Sequence, residues 1–467
     1  MVLVIAVLVI AVVVSATAIA LAVGIATANT EFSATFRTVA LGPLQLTVSD
    51  SGPSAGLVWL AAISVIIVAL IALAFEGIAA LLSARPRRKV LSARRHGRRM
   101  LPPVGPVRIT VLVPAHNEEA SLPATLDSLE AQTRAPDRII VVADNCTDGT
   151  VRIAHDRGYE VFESVGNVHK KGGALNQVLA RLLNEAMPED AFLVMDADTQ
   201  LGHEYLAIAG QALDDDPELA AVGGVFFGEG GHGVLGQFQR NEYTRYSAEI
   251  RRRRGRVFVL TGTASVFRSE ALLDVSAARG VYIPGIPGTT YDTAALTEDN
   301  ELTLALKSLG SSLISPPECT VTTELMPTWR DLWAQRKRWQ RGALENLSAY
   351  GITPGTVRYW GQQVGIGYGT VALISAMALM LITFLAVDQW VWFPFWVIIG
   401  SVFWLERVIT AWSGGWRARG LAALLIPELF YDVYLQMVFV ACLKDIVLGH
   451  DTHWGHVQRT HEPGEAP

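Results

Sequence analysis

Cysteine is scarce in this chain. Three of 467 residues, Cys146, Cys319 and Cys442, carry a thiol, and they show no pairing pattern. A disulfide framework and a cysteine-based zinc module are thereby excluded, which suits a reducing compartment. Repeats and low-complexity tracts are missing from the soluble part. Charged residues are few as well, at 18 %. The net charge of −6 says little by itself, because it hides a local basic run. Apolar residues are plentiful instead: they make up 51 % of the chain. The mean hydropathy of +0.32 is too high for an ordinary soluble enzyme.

The apolar residues are concentrated at the two ends. Residues 2–28 are almost purely Val, Ile, Leu and Ala, long enough to cross a bilayer. Ala26-Thr27-Ala28 resembles a signal-peptide cleavage site, but the run is too long and lacks a basic leader, so a retained span is expected. A second span is expected at about 57–82, with Glu76 snorkelling at its cytoplasmic end. Eight basic residues from Arg85 to Arg99 follow it and mark a cytoplasmic face, not a nucleic-acid site. Residues 29–56 then form a short external loop. Three more apolar stretches fall at about 366–387, 389–411 and 421–443. Arg417 and Arg419 between the last two fit a cytoplasmic loop, Glu406 and Arg407 are placed to pair, and Pro427, Glu428 and Asp432 weaken the last span. These patterns divide the chain into two N-terminal spans with their loop (1–84), a basic linker (85–106), a soluble domain (107–326), amphipathic interfacial helices (327–365), about three C-terminal spans (366–445) and a polar tail (446–467).

In the soluble region short β-rich runs alternate with helical patterns. Val107–Val113, Arg138–Val142 and Phe192–Met195 read as buried strands, while Leu122, Leu126 and Leu129, and Ala174, Val178 and Leu182, repeat at helical spacing. This alternation predicts a mainly parallel α/β sheet with its ligand site at the carboxyl ends of the strands. Polar clusters stand at those ends. Pro114, His116, Asn117 and Glu118 follow the first strand, and Asp144 to Thr150 follow the second. Each alone is a turn or cap; together they make a floor for a nucleotide, with Asp144 able to accept hydrogen bonds from a uracil ring or a ribose. Lys170, Lys171, Gly172 and Gly173 open a helix, where an ammonium and a close backbone suit a diphosphate.

The strongest local signal is Asp196-Ala197-Asp198, directly after an apolar strand. Residues two apart in extended chain point the same way, so both carboxylates can face one hard cation, Mg²⁺ or Mn²⁺. Thr297-Glu298-Asp299 opens the helical pattern Leu302, Leu306, Leu309 that Gly310 stops. The acids read equally well as a helix cap or, at Asp299, as a general base. Gln335, Arg338 and Trp339 stand at i, i+3 and i+4, on one helix face. Arg338 can pair with phosphate oxygens and Trp339 offers a flat surface to a sugar ring. Trp329, Trp333, Arg336, Lys337 and Arg341 around them suggest a helix at the membrane surface.

Taken in order, Asp144, Lys171 with Gly172-Gly173-Ala174-Leu175-Asn176, Asp196-Ala197-Asp198, Thr297-Glu298-Asp299 and Gln335-Arg336-Lys337-Arg338-Trp339 resemble the processive family-2 glycosyltransferases, which include bacterial cellulose, hyaluronan, poly-N-acetylglucosamine and chitin-oligosaccharide synthases. The resemblance covers about residues 107–345 and the flanking spans. It implies an α/β GT-A (Rossmann-like) domain inserted between transmembrane helices, a UDP-sugar donor, a divalent metal and inversion at the anomeric carbon. By the same resemblance Asp144 meets uridine, and Asp196 and Asp198 meet the diphosphate and metal. Asp299 is the base, Arg338 and Trp339 meet the diphosphate and acceptor, and Thr261-Gly262 with Glu298 stand on the acceptor side.

The expected partners are the donor, a growing glycan or lipid acceptor and the bilayer, with accessory membrane or export proteins left open and no nucleic acid. The catalytic domain is placed on the cytoplasmic face of the cell membrane. No regulatory domain is expected after the spans, and no gating-loop sequence of the cellulose synthases is found. Tyr282–Thr290, rich in Gly and Pro, reads as a surface loop sooner than as a lid. Two rivals remain: single-sugar transfer to a polyprenyl-phosphate or other lipid, and a non-catalytic channel or assembly partner. Gln335–Trp339 disfavours the first, and intact Asp196, Asp198 and Asp299 disfavour the second. The Arg251–Arg256 cluster reads as a solvated face, and His450, His453 and His456 as a polar tail and not a metal site.

Overall fold

The computed structural model describes residues 36–41, 44–49, 105–253, 255–385 and 394–450. The spans expected at 2–28 and 57–82, with Glu76, lie outside the described residues, as do the basic run from Arg85 to Arg99, Arg254, His453 and His456. In the expected external loop, β1 (Phe36–Leu41) and β2 (Leu44–Ser49) pair as an antiparallel hairpin.

The soluble domain begins as the sequence pattern suggests. Its first half alternates β3 (Arg108–Ala115), α1 (Leu122–Glu130), β4 (Arg138–Ala143), α2 (Thr150–Asp156), β5 (Glu160–Glu163), α3 (Lys170–Glu185) and β6 (Asp190–Met195). Its second half adds β7 (Gln200–Leu201), α4 (Tyr205–Asp215), β8 (Leu219–Gly223), β9 (Val225–Gly228), α5 (Gly233–Arg252), β10 (Ala264–Arg268), α6 (Ser269–Ala278), α7 (Glu298–Ser308), β11 (Ser312–Ile314) and β12 (Thr320–Thr323). Helices cover both faces of the main sheet, which is why its strands are apolar on both sides. Along β3, Leu112 packs with Ala174, Val178 and Leu182 of α3. Val111 and Val113 point the other way, to Leu122, Leu126 and Leu129 of α1. Strand alternation thus sorts one apolar run into two core layers.

The sheet runs β11-β8-β10-β6-β3-β4-β5. It is mixed where the sequence suggests a mainly parallel one: β10 is antiparallel to both β6 and β8. This reversal has a consequence for function. The register Ala264↔Met195 lays residues 261–263 alongside Asp196, and the Asp196 amide donates to the Thr263 carbonyl at 3.0 Å. A small second sheet, β7-β12-β9, flanks the main one.

Five helices follow the domain: α8 (Trp329–Tyr350), α9 (Val357–Leu385), α10 (Pro394–Thr410), α11 (Gly415–Ala423) and α12 (Ile426–Leu448). Thr328 caps α8, its hydroxyl accepting from the Asp331 amide. Among the described residues, α12 is the one helix long and apolar enough to cross a membrane. At 17 residues α10 falls short of the roughly 20 a span needs. The rings of Trp329 and Trp333 sit 4.9 and 5.5 Å from that of Tyr434, so α8 is packed along α12. The expected pairing of Arg407 with Glu406 is present at 3.5 Å, and Arg407 also reaches Asp432 at 2.5 Å.

One buried ion pair fixes the segment that leads into α7. Arg279 and Glu301 are both about fully buried and bond through two N–H···O contacts of 2.5 and 2.7 Å. Arg279 also donates to the carbonyls of Pro284 and Thr290, and the Tyr350 hydroxyl donates to Glu301. The Gly- and Pro-rich loop is therefore stitched to α7 and α8. Glu301→Ala, which strands the arginine, is expected to cost roughly 3–5 kcal/mol, whereas Arg279→Met with Glu301→Leu loses much less. Urea unfolding of the purified chain checks this; equal stability of the two variants contradicts it.

Candidate active site

At the carboxyl end of β6 lies a cavity of about 1030 Å³, lined by Lys170, Lys171, Asp196, Asp198, Thr261, Gly262, Glu298, Asp299, Gln335, Arg338 and Trp339. All eleven were singled out from sequence, and the fold brings them together. Ala197 is buried while Asp196 and Asp198 on either side of it are half-exposed; the segment is a turn just after β6 and not the extended chain expected, with the Thr199 amide donating to the Asp196 carbonyl at 3.2 Å. The Thr125 hydroxyl holds the Ala197 carbonyl at 2.7 Å and so fixes the turn between them.

Lys171 is the electrostatic centre. Its Nζ donates to Asp196 Oδ1 at 2.6 Å and to the Gly262 carbonyl at 3.2 Å, and lies 3.7 Å from Glu298. Burial pulls its pKa down, but the charges of Asp196 and Glu298 outweigh that and raise it, so the ammonium stays charged. Lys170, beside it in a left-handed conformation (φ 58° at Asn117 is another such turn, and 55° here), is held below its usual range by burial and by Arg338. Two cations converging on one spot mark a place for an anion.

Asp299 stands in the first turn of α7. Its Oδ2 accepts from the Gly262 amide at 3.0 Å and its Oδ1 from the Asn300 amide at 2.8 Å. Burial, and then the neighbouring charge of Glu298, push its pKa up to about 6. That is close to working pH, which a general base needs. A Cβ on Gly262 would stand 3.0 Å from Oδ2, so the loop approaches the carboxylate this closely because residue 262 has no side chain. Thr297 was expected as a helix cap. Its hydroxyl makes no cap bond; it lies against Gly342 and accepts from Asn346 at 3.3 Å, which binds α7 directly to α8.

Pro114, His116, Asn117, Glu118 and Asp144 form a neighbouring patch outside the cavity lining. Pro114 is buried in β3. His116 Nδ1 meets the Asp144 carbonyl at 2.5 Å, Asn117 Oδ1 accepts from the Thr147 amide at 2.7 Å, and the Glu118 amide donates to the Thr150 hydroxyl at 2.8 Å. The patch connects to the cavity through Asn167, whose Nδ2 donates to Asp144 Oδ1 at 2.8 Å and to the Lys170 carbonyl at 2.7 Å. Gly173 makes room for it: a Cβ there would come within 2.1 Å of Asn167 Oδ1. Sequence reasoning missed Asn167, and it grouped Arg336 with the residues of a membrane-surface helix where the fold buries it. The Arg336 guanidinium is buried 3.0 Å from Glu242 and 4.3 Å above the Trp339 ring, and Tyr431 donates to the same Glu242 oxygen at 2.6 Å. The helix face that carries Gln335, Arg338 and Trp339 is oriented by the residue between them.

A Rossmann-like mixed sheet, paired carboxylates after β6, a carboxylate poised near pH 6 and a cationic-aromatic helix describe a nucleotide-sugar transferase site. The chain belongs to the glycosyltransferase-like family 2, whose model matches residues 106–342. It is 25 % identical over 245 residues to the poly-beta-1,6-N-acetyl-D-glucosamine synthase of Staphylococcus aureus strain COL, covering 51 % of this chain and 55 % of that one. The Staphylococcus epidermidis synthase of the same name is 24 % identical over the same lengths. The chain thus spans about half of these curated relatives. Among solved structures, a mannosyltransferase from Pyrobaculum calidifontis in complex with GDP-Man and Mn²⁺ superposes with a TM-score of 0.51 at 19 % identity, covering 83 % of this chain and all but 1 % of that one (99 %). That likeness establishes the GT-A fold.

Turnover is expected to rise with pH through about 6 as Asp299 ionises. Because the folded value lies above the usual 3.8, the same group makes the fold less stable as pH rises between the two values. Glu298→Gln removes the adjacent charge and should move the acidic limb of the pH–rate profile to lower pH. A limb that stays in place contradicts this electrostatic account.

Proposed function

We propose that the chain is a membrane-embedded, inverting glycosyltransferase that polymerises a UDP-sugar of the glucose or N-acetylglucosamine type into a β-linked polysaccharide, coupled to export. The observation that carries this reading is the continuity of the cavity. Its lining includes Asp196, Asp198 and Asp299 together with Trp339, Gln363 of α9 and Gln436 and Phe439 of α12. A donor site that opens towards apolar helices is suited to a long acceptor. The relatives named for poly-N-acetylglucosamine synthesis support the same choice of sugar class.

In this reading the donor diphosphate lies against Lys170, Lys171 and Arg338, and its uridine over Asp144 and the His116–Glu118 loop. Asp299 takes the proton from the acceptor hydroxyl as that oxygen bonds to the anomeric carbon. The bond to the diphosphate oxygen breaks on the opposite side, and the nucleoside diphosphate leaves with the electron pair. Trp339 offers its face to the acceptor sugar, and Thr261 and Gly262 border that end. Among the described residues no three ligating side chains cluster. Two carboxylates, Asp196 and Asp198, are nonetheless the donor set of an ion held jointly with substrate phosphates, and they fit Mg²⁺ or Mn²⁺ on that basis. When bound, the ion would neutralise charge developing on the leaving diphosphate. The amphipathic α8, packed along α12, supports a site at the membrane surface, with the domain in the cytoplasm.

Single transfer to a lipid is the second reading. The full chain in lipid, given labelled UDP-glucose, UDP-N-acetylglucosamine and UDP-glucuronate singly and mixed with Mg²⁺ or Mn²⁺, tests both. A long, glycosidase-sensitive product from one donor or pair is expected. Labelled lipid carrying one sugar would replace the polymer by the second reading.

A further inference from the structure

The corner between α10 and α12 carries a cluster that the catalytic site does not use. Two exposed tryptophans, Trp412 and Trp416, each lie beneath an arginine: Arg419 is 4.2 Å above the first ring and Arg417 5.6 Å above the second. Arg419 Nε also donates to the Trp412 carbonyl at 2.9 Å, which fixes the guanidinium at the turn. No acidic residue occurs from 411 to 427. The next one, Glu428, is buried and accepts from Asn241 at 2.9 Å and from Arg245 at 2.5 Å. A third cation, Arg240, faces the same corner; burial and then the charge of Arg417 hold it below its usual range. The corner is therefore rich in positive charge, with Glu229 the acid that acts on Arg240.

Its surroundings are apolar. Phe403 and Ile409 of α10 and Leu424, Ile426 and Phe430 flanking the corner are all exposed. Arginines and tryptophans on the rim of an exposed apolar band are where a bilayer meets water. The mount is rigid on the other side. Ala411, Ala418 and Ala422 are buried together, and a Cβ on Gly414 would come within 3.4 Å of Thr244, so α11 lies flat on α5. Asn241 bridges the Ala418 carbonyl and Glu428. The helix beneath, α5, supplies Glu242, Tyr243 and Tyr246 to the catalytic cavity.

We propose that this corner, Trp412, Trp416, Arg417 and Arg419, binds the phosphate headgroup of an anionic phospholipid in the leaflet facing the catalytic domain, and so fixes the domain's depth and tilt at the membrane. The proposal rests on the membrane reading above. Anionic headgroups concentrate on the cytoplasmic leaflet and attract basic groups beside it. The paired Arg–Trp geometry adds what a bare charge lacks, a ring at headgroup level and a guanidinium held over it.

The test uses the full chain in nanodiscs of phosphatidylcholine with or without phosphatidylglycerol, with lipids retained after detergent release counted by native mass spectrometry. The wild type should retain phosphatidylglycerol in preference. Arg417→Gln and Arg419→Gln should each lower that preference about five-fold, Trp412→Ala should lower it too, and Arg138→Gln in the soluble sheet should not. Equal retention of both lipids, or an unchanged preference in the double arginine variant, overturns the proposal, as does equal displacement by soluble glycerol phosphate. A carbonate wash separates the two readings. A chain that stays in the membrane without a lipid preference sinks the corner site alone, and a chain that washes off sinks the membrane reading with it.

Discussion

Two carboxylates, those of Asp196 and Glu298, meet a single ammonium, that of Lys171, and Asp299 beside Glu298 lies within reach of its charge. Lys171 is anchored at the start of α3, Asp196 at the end of β6 and the two acids at the start of α7. The charge balance therefore ties together elements far apart in sequence. Their chemistry follows: the lysine stays charged against burial, while Asp299 is pushed up to about 6 first by its burial and then by the charge of Glu298. The Gly262 peptide completes the arrangement. Its N–H is given to Asp299 and its C=O to Lys171. A side chain at position 262 would press on the Asp299 carboxylate, so the segment leading into the antiparallel β10 has to deliver a glycine there.

Much of this was legible in the sequence, for local reasons. Asp196 and Asp198 were readable as a pair because they directly follow an apolar strand, although a turn and not extended chain presents them, and Gln335, Arg338 and Trp339 because helix residues three and four apart share a face. The apolar runs of β3, β4 and β6 fixed their own positions because a strand covered on both faces must be apolar throughout. What could not be read depends on long-range contacts. Nothing local says that β10 runs against its neighbours, that Asn167 is held over Gly173, or that Arg336 turns inward to Glu242 while Arg338 faces the cavity. The Gly172-Gly173 pair was read as room for a phosphate, and part of that room is taken by the Asn167 side chain. The loop at 282–290 looked loose because Gly and Pro dominate it; the arginine that fastens it, Arg279, lies just before it and pairs with a residue on α7.

The C-terminal helices show the same limit. Glu428 and Asp432 argue against a simple span when α12 is read alone. In the fold Glu428 is satisfied by Asn241 and Arg245 of α5, and Asp432 by Arg407 of α10. The helix thus turns its acidic side chains towards the protein and leaves Phe430, Met437, Val440 and Val447 exposed. The soluble domain and the apolar helices are thus packed together, with α8 between them carrying Gln335, Arg338 and Trp339 on one side and Trp329 and Trp333 on the other.

The central claim is that Asp299 acts as the base of glycosyl transfer within this cavity. Asp299→Asn keeps the shape of the side chain and removes its basicity. Calorimetric titration with a UDP-sugar and turnover of the same preparation should show donor binding near the wild-type level and no transfer. Normal turnover by that variant would contradict the account, because the group whose environment the whole site is arranged to tune would then be dispensable.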